Sequence, residues 1–136
     1  MILADTSAWI EYDRATGSRI DARVAELIRQ DGPLVVTEPV IMEVVAGART
    51  ERQADQLRRL LLRGGLLSFD AAIDFEAASL IYRRCRLAGV TPRGMIDCMI
   101  AAVARRRGAT LLCRDADLER VAEVIGIPLD QASKSN

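Results

Sequence analysis

MILADTSAWIEYD, residues 1–13, decides the architecture. Its first four residues are apolar and suit a short strand, and TSAWIEYD then turns into a short helix with Asp5, Thr6 or Ser7 as its cap. The same handover recurs downstream. LVVT (34–37) reads as a strand followed by a helix over 39–47, and TLLC (110–113) as a strand followed by a helix over 116–125. LLSF (66–69) and IPL (127–129) read as two further strands. Between them, Ile20, Val24, Leu27 and Ile28 mark an amphipathic helix ended by Asp31-Gly32-Pro33, and Leu57, Leu60 and Leu61 stripe a charged helix that stops at Gly64-Gly65. A long helix is predicted over 71–88, and Thr91-Pro92 supplies a cap and first-position proline for a helix running to Arg107. Short apolar strands alternating with helices predict one α/β domain over residues 1–131. Its sheet is central, mainly parallel and flanked by helices on both faces, and residues 132–136 form a short polar tail.

Composition agrees with one domain: half of the 136 residues are apolar, enough for a substantial core. The net charge is zero, so no global basic field announces nucleic acid. Of the 19 cationic side chains only Lys134 is a lysine; the rest are arginines, whose forks suit phosphate and carboxylate, although a GC-rich genome has the same effect. Cys85, Cys98 and Cys113 lie in apolar or helical stretches without CxxC spacing, which argues for core residues of a reducing compartment and against a disulfide framework or zinc site. Without a basic leader or a long apolar run, the expectation is a cytoplasmic protein with no membrane span.

Four carboxylates stand out. Asp5 follows MILA, Glu43 sits inside VIMEVVAGA, Asp97 inside GMIDCMIAAVA, and Asp115 just past TLLC. Asp5 and Asp115 are each placed to cap a helix, and taken singly that is their simpler reading. Glu43 is the only charge between Glu38 and Arg49, and Asp97 the only charge between Arg93 and Arg105, so both head for a partly dry environment. Pairing with a buried arginine is the alternative for these two. A lone buried carboxylate costs several kcal/mol, so four of them ask for one explanation: folding gathers them around a divalent cation. In parallel α/β sheets the functional crevice lies beyond the carboxyl ends of the strands, which is where Asp5 and Asp115 stand.

In this order and at these separations, Asp5-Thr6-Ser7, the Glu43 helix, RGMIDCMIAAVA with Asp97, and LLCRDADLERV with Asp115 resemble a PIN domain. More closely, they resemble the VapC-like ribonuclease toxins of type II (VapBC) toxin-antitoxin pairs. The resemblance covers nearly the whole chain. It implies a metal-dependent endoribonuclease, usually a homodimer, inhibited by a cognate VapB-like antitoxin, with Asp5, Glu43, Asp97 and Asp115 as catalytic and metal-binding acids. Asp117 stands either as a further ligand or as a helix-start residue. Thr6 and Ser7 can position a carboxylate or a substrate phosphate, or simply cap; Arg93 and Arg114 flank two of the acids and can meet phosphate or form surface ion pairs.

The residue inventory supports the same chemistry. An all-oxygen cluster suits Mg²⁺, with Mn²⁺ as substitute, and disfavours zinc. The absence of histidine excludes a two-histidine ribonuclease mechanism, and hydrolysis assisted by metal predicts 5′-phosphate and 3′-hydroxyl ends. Arg83-Arg84-Cys85-Arg86 and Arg105-Arg106-Arg107 are either a phosphate rim or solvated helix faces. With aromatics at 4%, base stacking has few platforms, and Trp9 reads as core. The stripes at 20–28 and 57–61 belong to the core, with any spare part available to an amphipathic antitoxin segment. A receiver-like phospho-acceptor domain would need a lysine near its acids, and the only one is in the tail. The remaining rival is a PIN-like module that binds RNA or protein without cutting.

Overall fold

The computed structural model describes residues 1–133; the rest of the expected tail, 134–136, lies outside the described residues. Three strands, β1 (Ile2–Ala4), β2 (Leu34–Val35) and β3 (Thr110–Leu112), form a parallel sheet in the order β2-β1-β3. The N-terminal strand is therefore the central one, with Leu3 opposite Val35 on one side and Leu111 on the other. Leu3, Ala4, Leu111 and Leu112 are wholly buried, as strands covered on both faces require.

Seven helices surround the sheet among the described residues: α1 (Thr6–Asp13), α2 (Arg19–Gln30), α3 (Glu38–Ala46), α4 (Glu51–Leu61), α5 (Asp74–Leu87), α6 (Met95–Arg107) and α7 (Ala116–Ile125). α1 packs on α2 and α3, and α3 on α4; α5, α6 and α7 pack on one another, with α3 meeting α6 between the groups. The α/β class and parallel sheet expected from the sequence hold. Gly64 lets the chain pass β2, since a Cβ there would lie 2.2 Å from the Leu34 carbonyl oxygen. No helix of the described residues is long and apolar enough to cross a membrane.

Five boundaries differ from expectation. LLSF does not form a strand: it makes one bridge, Leu66 to Val36, with Leu67 N–H donating to Val36 O at 2.8 Å. Side chains then take over its backbone, as Phe69 N–H donates to Glu38 Oε1 and Ser68 O accepts from Arg106 Nη2, both at 2.8 Å. IPL likewise makes a single bridge, Leu129 to Leu111, because Pro128 has no N–H to extend a ladder. α5 starts at Asp74 rather than 71, since the Asp70 and Asp74 carboxylates hold residues 70–73 as a turn. α6 starts at Met95 with extended Gly94 as its cap, not at Thr91-Pro92: Pro92 is buried in the approach to the helix and Gly94 resists helix formation. At the other end, Gln131–Ser133 form a 3₁₀ turn with Ser133 buried, so the folded region continues past residue 131.

Candidate metal centre

The carboxyl edge of the sheet collects the acids. Asp5 ends the central strand, its N–H bonded to Leu112 O of β3 at 3.0 Å, and it caps α1 by accepting from Ala8 N–H at 3.0 Å. The Ser7 hydroxyl donates to the same Asp5 Oδ1 at 2.7 Å and accepts from Arg114 N–H at 2.8 Å, tying the start of α1 to the loop after β3. Asp115 caps α7 by accepting from Asp117 N–H at 2.8 Å. Capping and membership of the cluster are thus not alternatives for these two aspartates. Glu43 comes from α3 and accepts the Thr6 hydroxyl at 2.5 Å. Asp97 lies in the first turn of α6, a position created by the late start of that helix.

The cluster is visible as mutual electrostatic cost. Asp5 is 2% exposed, and burial pushes its carboxyl up to about 7 from the ordinary 3.8; the Ser7 and Ala8 hydrogen bonds pull it partly back, and the charges of Asp97 and Asp115 raise it again. Asp97 is raised to about 6, first by burial and then by the charges of Asp115, Glu43 and Asp117, with Arg93 opposing. Among the described residues neither Glu43 nor Asp97 forms an ion pair, so the buried-arginine alternative does not describe them.

Two other buried acids provide the contrast. Asp74, wholly buried, receives Arg106 through Nε at 3.0 Å and Nη2 at 2.8 Å. Burial alone would raise its carboxyl, but Arg106 and the Asp70 amide outweigh that and hold it below the ordinary range. Asp130, 9% exposed, is held by the Arg23 fork, with Nη2 at 3.0 Å. Of the three buried aspartates, Asp5 alone lacks such a cation among the described residues.

Among the described residues no three acidic or thiol side chains are arranged, as they stand, to hold an ion. Several of their oxygens are committed: Glu43 Oε1 to Thr6, Asp115 Oδ1 to its cap, Asp5 Oδ1 to Ser7 and Ala8. Asp117 carries two guanidiniums, Arg93 at 2.9 Å and Arg120 at 3.1 Å, which favours its helix-start reading. Arg114 pairs with Glu11 at 2.9 Å. The donor set nevertheless fits a hard divalent ion: it consists of carboxylate oxygens that repel one another and have no fixed cation.

Sequence reasoning missed Glu11, Asp74, Asp130 and the two forks. Glu11 is the anchor of Arg114, and its carboxyl sits below the ordinary range: slight burial opposes this, but the hydroxyls of Ser18 and Thr16 and then Arg114 outweigh it. Nothing in the sequence pairs residues 103 or 107 positions apart. Arg106, half of the supposed phosphate rim with its neighbours, is spent on Asp74. Trp9, 2% exposed, is a core residue as expected. Burial pushes the Cys98 thiol up to about 12 and raises Cys85 as well, in keeping with inert core thiols.

Comparison with known proteins identifies the family and the fold. The PIN domain family matches residues 2–124. The chain is 44% identical over 128 residues to VapC ribonuclease Mb1587 of Mycobacterium bovis and, at the same identity, to ribonuclease VapC11 of Mycobacterium tuberculosis; 93% of this chain and 96% of each relative are covered. Its fold is similar to that of VapBC2 from Rickettsia felis, crystallised with a DNA fragment from its promoter, with a TM-score of 0.72 at 16% identity over 96% of this chain and 98% of that one. By sequence and by fold, the chain belongs to the PIN-domain family, in its VapC branch.

Proposed function

We propose that this protein is a Mg²⁺-dependent endoribonuclease, the toxin of a toxin-antitoxin pair, and that Mn²⁺ can replace Mg²⁺. The observation that carries the reading is the contrast among buried aspartates. Asp74 and Asp130 each have an arginine fork, whereas Asp5, just past the central strand, has only neutral hydrogen-bond donors and the charges of other acids around it. Buried carboxylates perturbed in this way cluster at functional sites, and a bound cation is what would neutralise this one. The relatives named as ribonucleases make RNA the substrate of choice.

Asp5, Asp97 and Asp115 would hold the ion, with Glu43 completing the set. Once bound, it would acidify water for attack on phosphorus and neutralise charge on the phosphoryl oxygens. Ser7 and Thr6 orient two of the carboxylates from the start of α1, which fixes the site on rigid elements. Arg93, with 79% of its side chain exposed, and Arg114, with 58%, stand at the rim on Asp117 and Glu11, from which either can turn to a backbone phosphate. Hydrolysis by this route leaves 5′-phosphate and 3′-hydroxyl ends.

A partner surface accompanies the site. Most of the α2 and α4 stripes is spent on the core, but Ile28 and Leu60 line a groove of about 430 Å³ with Leu27, Arg29 and Arg63. Trp9 also lines it, and its buried Nε1 has no hydrogen-bond partner. An amphipathic segment of a VapB-like antitoxin suits this groove. We place the protein in the cytoplasm as a homodimer.

The test is partner-free protein incubated with total cellular RNA in Mg²⁺, Mn²⁺ or EDTA, with sequencing of new 5′-phosphate ends. Discrete ends that require metal are expected. Their absence from folded protein would favour a PIN-like module that binds RNA or protein without cutting.

A further inference from the structure

Thr37 is wholly buried, and its hydroxyl has no hydrogen-bond partner. Leaving such a group unmade costs about 1–3 kcal/mol, so its retention asks for a use. It is also the N-cap of α3, yet it makes no side-chain cap bond; Asp5, Ser18, Thr50 and Asp115 all accept a backbone N–H at their helix starts. The hydroxyl is therefore not used by the helix it begins.

Its neighbour follows from the register. Ile2 pairs with Leu34 and Leu3 with Val35, where the ladder ends; Asp5 and Thr37 each lie two residues beyond that last pair, at the carboxyl ends of neighbouring strands. Paired strands lie about 4.8 Å apart, so the residues that leave their ends start from neighbouring positions. Asp5 Oδ1 is occupied by Ser7 and Ala8, while no hydrogen bond among the described residues reaches its Oδ2. An idle donor and an idle acceptor thus end neighbouring strands, at the edge where the acids gather.

We propose that Thr37 is a positioning residue of the acid centre, anchoring the Asp5 carboxylate from the β2 side across one water when the ion is bound, as Ser7 anchors it directly from the β3 side. This rests on the metal-site reading above. Partners that orient a ligating carboxylate typically contribute 10- to 100-fold to metal affinity.

The experiment is titration of Mn²⁺ into the full chain, followed by loss of the free-ion electron paramagnetic resonance signal, on wild type, Thr37→Val, Thr37→Ser and Asp97→Asn. Urea unfolding in EDTA accompanies it. Thr37→Val is expected to bind Mn²⁺ at least about tenfold more weakly while unfolding no earlier than wild type in EDTA, because without the ion the hydroxyl is buried and unpaired. Thr37→Ser should bind within about twofold of wild type by the same argument. Wild-type affinity in a folded Thr37→Val overturns the assignment and leaves the metal site standing. Folded wild type that binds no Mn²⁺ overturns both.

Discussion

Replacing Asp5 by Asn isolates the cost of the site. The side chain is 2% exposed and its carboxyl titrates near 7, against 3.8 when unperturbed. Between those values the native protein holds a proton that the unfolded chain has released. Stability from this group is therefore present at low pH and is lost as pH rises through about 7. Integrating the linkage relation from pH 5 to pH 8 gives a loss of about 2.5 kcal/mol from Asp5 alone. Asn cannot ionise, but its side-chain oxygen can keep both bonds now made to Oδ1, from Ser7 and Ala8. Its amide hydrogens add a cost of about 1–3 kcal/mol if unpaired, and that cost does not vary with pH. The assay is urea unfolding in EDTA at pH 5, 6, 7 and 8, read by the fluorescence of Trp9, the only tryptophan. Asp5→Asn should gain on wild type by about 2.5 kcal/mol across that range. Added Mg²⁺ should then stabilise wild type and leave the variant unchanged. Parallel stability curves for the two proteins in EDTA would refute the reasoning, because they would mean that Asp5 folds without strain from its charge.

Asp97→Asn is expected to abolish metal-dependent RNA cleavage while circular dichroism stays native; full activity would remove Asp97 from the site. Arg106→Ala should destabilise by about 3 kcal/mol, since it strands Asp74 uncompensated in the core, and Asp74→Asn added to it should restore part of the loss in urea unfolding. Ser7→Ala removes the one hydroxyl shared by Asp5 and the Arg114 amide and should cost about 1–2 kcal/mol in the same assay, with Ser7→Thr close to wild type.

The acids were legible for a physical reason: each interrupts an apolar run, and four interruptions in parallel α/β segments converge on the carboxyl edge. Asp74 and Asp130 escaped because Asp74 sits in the opening turn of the predicted 71–88 helix and Asp130 just past the predicted IPL strand, and their arginines lie 32 and 107 residues away in sequence. Apolar runs also overstated the sheet. LLSF and IPL have strand composition, but a ladder needs backbone partners, and Glu38, Arg106 and Pro128 deny them. Thr91-Pro92 has the chemistry of a helix start; packing of Pro92 and the extended Gly94 moved that start to Met95. That shift matters to the site, since it puts Asp97 in the first turn, where the free amides and dipole of α6 favour a negative charge.

The arrangement also explains why the strain concentrates on one residue. Glu43, Asp97 and Asp115 sit on helices or at a helix start with partial access to water, so their charge can be shared with solvent. Asp5 ends the middle strand, walled by β2 and β3, and receives the fields of Asp97 and Asp115 as well. Pairing it with an arginine, as at Asp74, would stabilise the fold and fill the position with a fixed cation. An exchangeable ion requires the opposite: a carboxylate held in place by neutral donors such as Ser7, with no permanent counter-charge. With the proposed ion, the protein would fold at a cost that divalent metal would remove, and its stability in EDTA, pH profile and nuclease activity should all change together when that one carboxylate is replaced.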